Sequence, residues 1–153
     1  IRDRLNIVRG EGVYVYDDSG KQYLEGLAGL WCASLGYGNV ELIEAITSQL
    51  KTLSYSHMFG GRTHNVVIQL AEQLNEMLPV ENSRIFFANS GSEANDSHIK
   101  MLRYYFNVTG EPQKKKIIAL ERSYHGVTVA SAALTGLPAN NGGNFLDTPT
   151  KFS

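Results

Sequence analysis

Arg84-Ile85-Phe86-Phe87-Ala88-Asn89-Ser90-Gly91-Ser92-Glu93-Ala94-Asn95 decides the reading of this chain. Its first half is a short apolar strand, its middle a small hydroxyl-rich turn, and its end opens a helix. From Ala94 to Phe106 few residues break a helix, and Ala94, Ile99, Leu102, Arg103 and Phe106 recur at helical spacing. A Ser-Gly-Ser turn at a helix N-terminus offers free backbone N–H groups, two hydroxyls and the positive end of the helix dipole. Those parts hold a phosphate. The plain alternative is an ordinary cap, with Ser90 or Ser92 capping and Glu93 in the first turn.

A second element about thirty residues on tips the balance: Tyr124-His125-Gly126, after the strand-like run Lys116-Ile117-Ile118-Ala119-Leu120-Glu121. A phosphate cradle after one strand and an aromatic, a histidine and a glycine after the next suggest a ligand site at neighbouring strand ends, where open α/β sheets bind their ligands. Tyrosine and histidine present flat faces for stacking on a ring and polar tips for orienting it. Their bland roles are a packed strand-end aromatic and a surface imidazole.

The chain resembles the N-terminal part of a class III, pyridoxal-phosphate-dependent aminotransferase, most closely the ω-transaminase (amine:pyruvate) branch. Four segments carry the resemblance in order: Gly29-Leu30-Trp31-Cys32-Ala33-Ser34-Leu35-Gly36-Tyr37-Gly38, Phe59-Gly60-Gly61-Arg62-Thr63-His64, Phe87 to Asp96, and Ser123-Tyr124-His125-Gly126-Val127-Thr128. It covers most of Asn6 to Asn140 and loosens after Asn141, where Asn144 to Ser153 matches the family's variable loop only weakly. The fold implied is α/β, a partial fold-type-I transferase. Residues 1–38 would be an N-terminal lobe segment and 39–153 the first part of the large cofactor-binding domain.

The resemblance also implies roles. Ser90, Gly91 and Ser92 would hold the phosphate of pyridoxal 5'-phosphate, Tyr124 would stack on its ring, and His125 would sit beside it. Trp31 would line the substrate pocket, with Phe59 added across the interface of a homodimer with shared sites. The bland reading of Trp31, the lone tryptophan, is a packing anchor. Gly26, Gly29, Gly36 and Gly38 around it favour a cleft-lining loop. The partners implied are an amine donor and a keto-acid acceptor such as pyruvate.

Pyridoxal phosphate works once a lysine has formed a Schiff base with it. Lys21, Lys51, Lys100, Lys114, Lys115, Lys116 and Lys151 stand outside the family's lysine motif. The catalytic lysine is therefore expected downstream, and the 153 residues are expected to be an inactive fragment of a transaminase. Rival readings are another class III specificity (acetylornithine, 4-aminobutyrate or semialdehyde aminomutase), a non-catalytic phosphate-binding or dimerisation module, and a nucleotide-binding α/β domain using Ser90 to Ser92.

Composition sets outer bounds. Lys+Arg 14 against Asp+Glu 15 argues against a nucleic-acid face, and 42% hydrophobic residues can supply a core. Single Cys32 suits a reducing compartment, taken as cytoplasmic. No apolar run reaches the ~18 residues of a membrane span. His57, His64, His98, His125 and Cys32 form no metal-ligand spacing, and neither a Walker P-loop nor a G-x-S-x-G elbow is present. Elsewhere the pattern predicts a hairpin (Val13–Tyr16, then Gln22–Leu24 across Asp17-Asp18-Ser19-Gly20), helices over Asn39–Leu53 and Asn65–Leu78, and a βαβ unit ending at Leu120.

Overall fold

The structure is a computed structural model, and it describes residues 4–81 and 83–138. The weakly matching tail from Asn144 to Ser153 lies outside the described residues. Contacts gather the chain into two units, Ile1–Leu70 and Ala71–Ser153. This grouping leaves the expected domain boundary at residue 38 open.

In the first unit, β1 (Ile7–Glu11), β2 (Tyr14–Asp17) and β3 (Gln22–Leu24) form an antiparallel sheet in that order. The predicted hairpin pairs Val15 with Tyr23, and Val15, 6% exposed, is the one buried apolar side chain recorded among the described residues. Strand β1 was not anticipated from sequence: Gly10 and a register irregularity between Ile7 and Arg9 blur its alternation, and pairing with β2 defines it. One aspartate organises the turn between β2 and β3. Asp17 Oδ1 accepts from the Ser19 amide (2.9 Å), the Ser19 hydroxyl (2.6 Å) and the Lys21 amide (2.9 Å), while Oδ2 accepts from the Tyr23 hydroxyl (2.7 Å). These bonds, that from Ser19 Oγ foremost and then that from Tyr23, lower the Asp17 pKa to about 2, and the Tyr23 hydroxyl is pushed up chiefly by the same contact.

Residues Ala28–Trp31 form α1, a single turn wound left-handed: Ala28, Gly29, Leu30 and Trp31 have φ of 49°, 59°, 60° and 67°. Only glycine takes that region without a steric cost, so three of the four residues carry strain. The loop after it is tied to the hairpin by a two-way bridge between Gly12 and Tyr37, with N–H···O distances of 2.9 and 2.8 Å. The Tyr37 ring fills the space beside Gly10 and its hydroxyl the space beside Gly29, so a Cβ at either position would come within 2.5–2.7 Å of it.

Helix α2 (Val40–Thr52) starts where Asn39 predicts, with Asn39 Oδ1 accepting from the Leu42 amide at 3.0 Å. Helix α3 (Asn65–Met77) crosses the division between the units. The apolar stripe of α2 has the expected spacing, yet Val40, Ile43, Ile46 and Leu50 are all exposed.

The second unit holds α4 (Gly91–Val108) and α5 (Val129–Leu134), which pack on each other. The expected parallel strand pair does not form among the described residues: residues 84–88 and 116–120 carry no ladder, and the one sheet there is β1-β2-β3. An apolar run supplies the faces of a strand but not the amides and carbonyls of a neighbour, and here Phe86, Ile118 and Leu120 lie exposed. The helix between the two runs forms as predicted and extends past Phe106 to Val108.

Candidate functional site

The N-terminus of α4 is built from the decisive segment. Ser90 is its N-cap, with backbone extended at φ −153° and Oγ accepting from the Glu93 amide at 3.2 Å. Glu93 reaches back, its Oε2 accepting from the Asn89 amide at 2.9 Å. The plain cap reading of Ser90 is thus correct, and it leaves the cradle reading intact. The amides of Gly91 and Ser92 meet no acceptor among the described residues, and a Cβ on Gly91 would meet open space. An open depression beside this end is lined by Phe86, Phe87, Ala88, Asn89, Glu93, Asp96 and Ser97.

The second motif is fastened onto this helix. Ser92 Oγ accepts from the Val127 amide at 3.0 Å, Asn95 Nδ2 donates to the His125 carbonyl at 2.7 Å, and Asp96 Oδ1 accepts from Thr128 Oγ1 at 2.7 Å and the Ser131 amide at 3.2 Å. Ser92, Asn95 and Asp96 lie three and four residues apart, so they share one face of α4. The Asp96 carboxylate sits at the start of α5, where the helix dipole favours a negative charge. Behind the motif, fully buried Thr135 takes the His125 amide at 3.0 Å and the Gly126 carbonyl at 3.1 Å through one hydroxyl.

Gly126 is held in a slot. Its φ is 127°, and a Cβ there would run into Ser92 Oγ, approach Ser131 Oγ to 2.6 Å and Ser92 Cα to 2.9 Å. Only glycine lets the loop come this close to α4. Tyr124, next to this clamp, is 55% exposed, and His125 is half-buried with Nε2 3.0 Å from Ser123 Oγ.

The structure therefore brings together Ser90, Gly91, Ser92, Tyr124 and His125 within the second unit. Trp31 and Phe59 belong to the first, each open to solvent at 75% and 84% exposure. Phe59 is placed by a turn in which its amide donates to His57 Nδ1 at 3.2 Å, followed by Gly60 and Gly61 with φ of 66° and 81°. Asn95, Asp96 and Thr128 stand within the motifs with no role that the sequence assigns them, and Ser131 and Thr135 stand outside those motifs. The helical spacing of Ser92, Asn95 and Asp96 was the available signal for a polar face that holds a loop. No cluster of metal-ligating side chains occurs among the described residues.

At the start of α4 a capped helix with two open amides stands beside a clamped loop that carries Tyr124, His125 and Gly126. The family model for class-III aminotransferases matches residues 2–152, and the chain belongs to that family. Among curated proteins it is 52% identical over 136 residues to a mitochondrial gamma-aminobutyrate transaminase 1 of Oryza sativa subsp. japonica, covering 88% of this chain and 26% of that protein. It is 50% identical over 135 residues to vanillin aminotransferase of Capsicum chinense, covering 88% of this chain and 29% of that one. Among solved structures, the omega transaminase of Pseudomonas jessenii in complex with PMP superposes with a TM-score of 0.90 at 54% identity, over 95% of this chain and 32% of the other. A thermostable 4-fold mutant from the same organism gives 0.91 at 53%, over 97% and 33%. The chain thus spans about a quarter to a third of the length of these relatives, and the expected class, part of a fold-type-I α/β transferase, holds.

Proposed function

We propose that the protein carrying this chain is a pyridoxal-phosphate-dependent aminotransferase that moves an amino group from a primary amine or ω-amino acid to a keto acid such as pyruvate, working as a homodimer with shared sites. One observation carries the reading: the open Gly91 and Ser92 amides at the start of α4 stand beside the loop that bears Tyr124 and His125, tied to it through Ser92 Oγ. The residues fit the cofactor. Ser92 Oγ accepts from Val127, which leaves its own proton to donate to a phosphate oxygen beside the two amides. Tyr124 offers an exposed ring face, and its backbone neighbour His125 is fixed at both amide and carbonyl.

When bound, pyridoxal phosphate supplies the electron sink that makes the amine's α-proton removable. The part of this chain is to bind and orient it: the N-terminus of α4 favours the phosphate charge, and the clamp fixes the backbone of the loop that bears the aromatic. Trp31, exposed and borne on the strained turn α1, is the residue proposed to meet the amine's side group, with Phe59.

Ser92→Ala in the complete protein is expected to weaken cofactor retention by about 1.5–3 kcal/mol, the scale of a hydrogen bond to a charged group. Equilibrium dialysis against free cofactor measures it, and undiminished affinity removes Ser92 from the cradle. The amine:pyruvate branch rests on Gly29-Leu30-Trp31-Cys32-Ala33-Ser34 and on the omega transaminase neighbours. The names of the rice and Capsicum relatives mark gamma-aminobutyrate and vanillin as competing substrates of equal sequence support. Trp31→Ala should redistribute rates across a panel of aryl-alkyl amines and 4-aminobutyrate while the bound-cofactor absorbance stays. Loss of that absorbance instead makes Trp31 a packing anchor. A cytoplasmic address follows only from lone Cys32, and the mitochondrial name of the rice relative is the competing address. No helix among the described residues is long and apolar enough to cross a membrane.

A further inference from the structure

His125 is held at three points, and the third has a consequence for its proton. The backbone amide is taken by Thr135 Oγ1 and the carbonyl by Asn95 Nδ2. The ring meets Ser123, whose Oγ lies 3.0 Å from His125 Nε2 and 2.5 Å from the Leu120 carbonyl oxygen. A hydroxyl has one proton. Two oxygens at 2.5 Å without a proton between them repel, and a carbonyl oxygen can only accept, so the Ser123 proton lies toward Leu120. Ser123 Oγ then has only lone pairs to offer the imidazole.

We propose that Ser123 is a positioning residue that fixes the tautomer of His125, holding the proton on Nε2 and leaving Nδ1 as a hydrogen-bond acceptor. The chain of donors runs one way, from His125 Nε2–H to Ser123 Oγ and from Ser123 Oγ–H to the Leu120 carbonyl. A half-buried ring beside Tyr124 thereby presents a lone pair, and any group it holds at Nδ1 must be a donor. That consequence for the cofactor rests on the reading above, while the proton assignment rests on the geometry alone.

The test is proton–nitrogen correlation spectroscopy on the complete protein with ¹⁵N-labelled histidine, above about pH 8, where a free imidazole is neutral. His125→Asn assigns the resonance by its loss. Before any cofactor is added, the native protein should show a protonated-type Nε2 and a bare Nδ1. Ser123→Ala should abolish that preference and give averaged shifts, and Ser123→Thr, which keeps the hydroxyl, should restore it. A native Nδ1–H tautomer overturns the proposal, as does an alanine variant with an unchanged spectrum. If the alanine variant does not fold, the native spectrum still decides. Titrating in pyridoxal phosphate then separates the two readings: the Nε2–H pattern without cofactor uptake supports the proton assignment and sinks the cofactor reading.

Discussion

The turn at Asp17 and the loop at Gly126 are both polar clamps, but they are closed over different distances. Asp17 takes its partners from Ser19, Lys21 and Tyr23, all within six residues, and makes a hairpin turn that the sequence Asp-Asp-Ser-Gly announces. The loop takes its partners from residues 30–35 positions away, where Asn95, Asp96 and Ser92 bond to His125, Thr128 and Val127. A local clamp needs only its own turn to form, and its contacts close at little entropic cost. The distant clamp requires both a wound α4 and a chain that returns to it, so it costs more loop entropy and needs glycine where the backbones meet. A turn is what the first yields; the second yields a surface of defined geometry beside a helix N-terminus.

The largest expected effect that breaks this comparison is Gly126→Ala. Its Cβ overlaps Ser92 and Ser131 at a φ disfavoured for alanine, and strain plus overpacking should destabilise by about 2–5 kcal/mol in urea unfolding. Tolerance of alanine there means the loop is not pressed onto α4. A smaller effect sharpens it. Thr135→Val keeps the shape but removes the acceptor of the His125 amide, which should cost about 1–3 kcal/mol in the same measurement and release the protected His125 amide to hydrogen exchange. Equal exchange in both proteins removes Thr135 from the clamp.

The local clamp should give the smallest effect and the clearest pH signature. The folded pKa of Asp17 is lowered from the ordinary carboxylate value of 3.8 to about 2. Its contribution is therefore complete above the unfolded value and lost as pH falls through the folded one. Asp17→Asn should flatten acid unfolding in the window from about 4 down to 2 while leaving neutral stability of the second unit unmoved. Amide exchange at Ser19 and Lys21 reads it locally. An acid profile that the substitution does not change places the titration elsewhere.

Much of the fold was legible before the structure. The apolar periods of α2, α3 and α4, the cap at Asn39 and the hairpin around Asp17 all follow from residues close together in the chain. Ser90-Gly91-Ser92 was legible as a helix start and Tyr124-His125 as a motif, because each is contiguous. Their juxtaposition was inferred from the resemblance and from the order of strands, and those strands do not pair among the described residues. Strand β1 and the left-handed turn at Trp31 escaped notice because neither pattern nor composition marks them. One exists through its pairing with β2, the other through φ angles that Ala28, Leu30 and Trp31 avoid by themselves.

The sequence by itself determined where α2, α3 and α4 start, which residues are small or hydroxylated at their ends, and to which family the motifs point, since capping and periodicity act over a turn or two of chain. Only the tertiary structure decided that Ser92 bonds Val127, that Asp96 caps α5, that Gly126 admits no side chain and that the Ser123 hydroxyl is spent on Leu120. Three of these four facts depend on atoms more than thirty residues apart meeting within hydrogen-bond or van der Waals distance. The fourth depends on the fold of a local turn to within a few tenths of an ångström, and no pattern of residue types encodes such a distance.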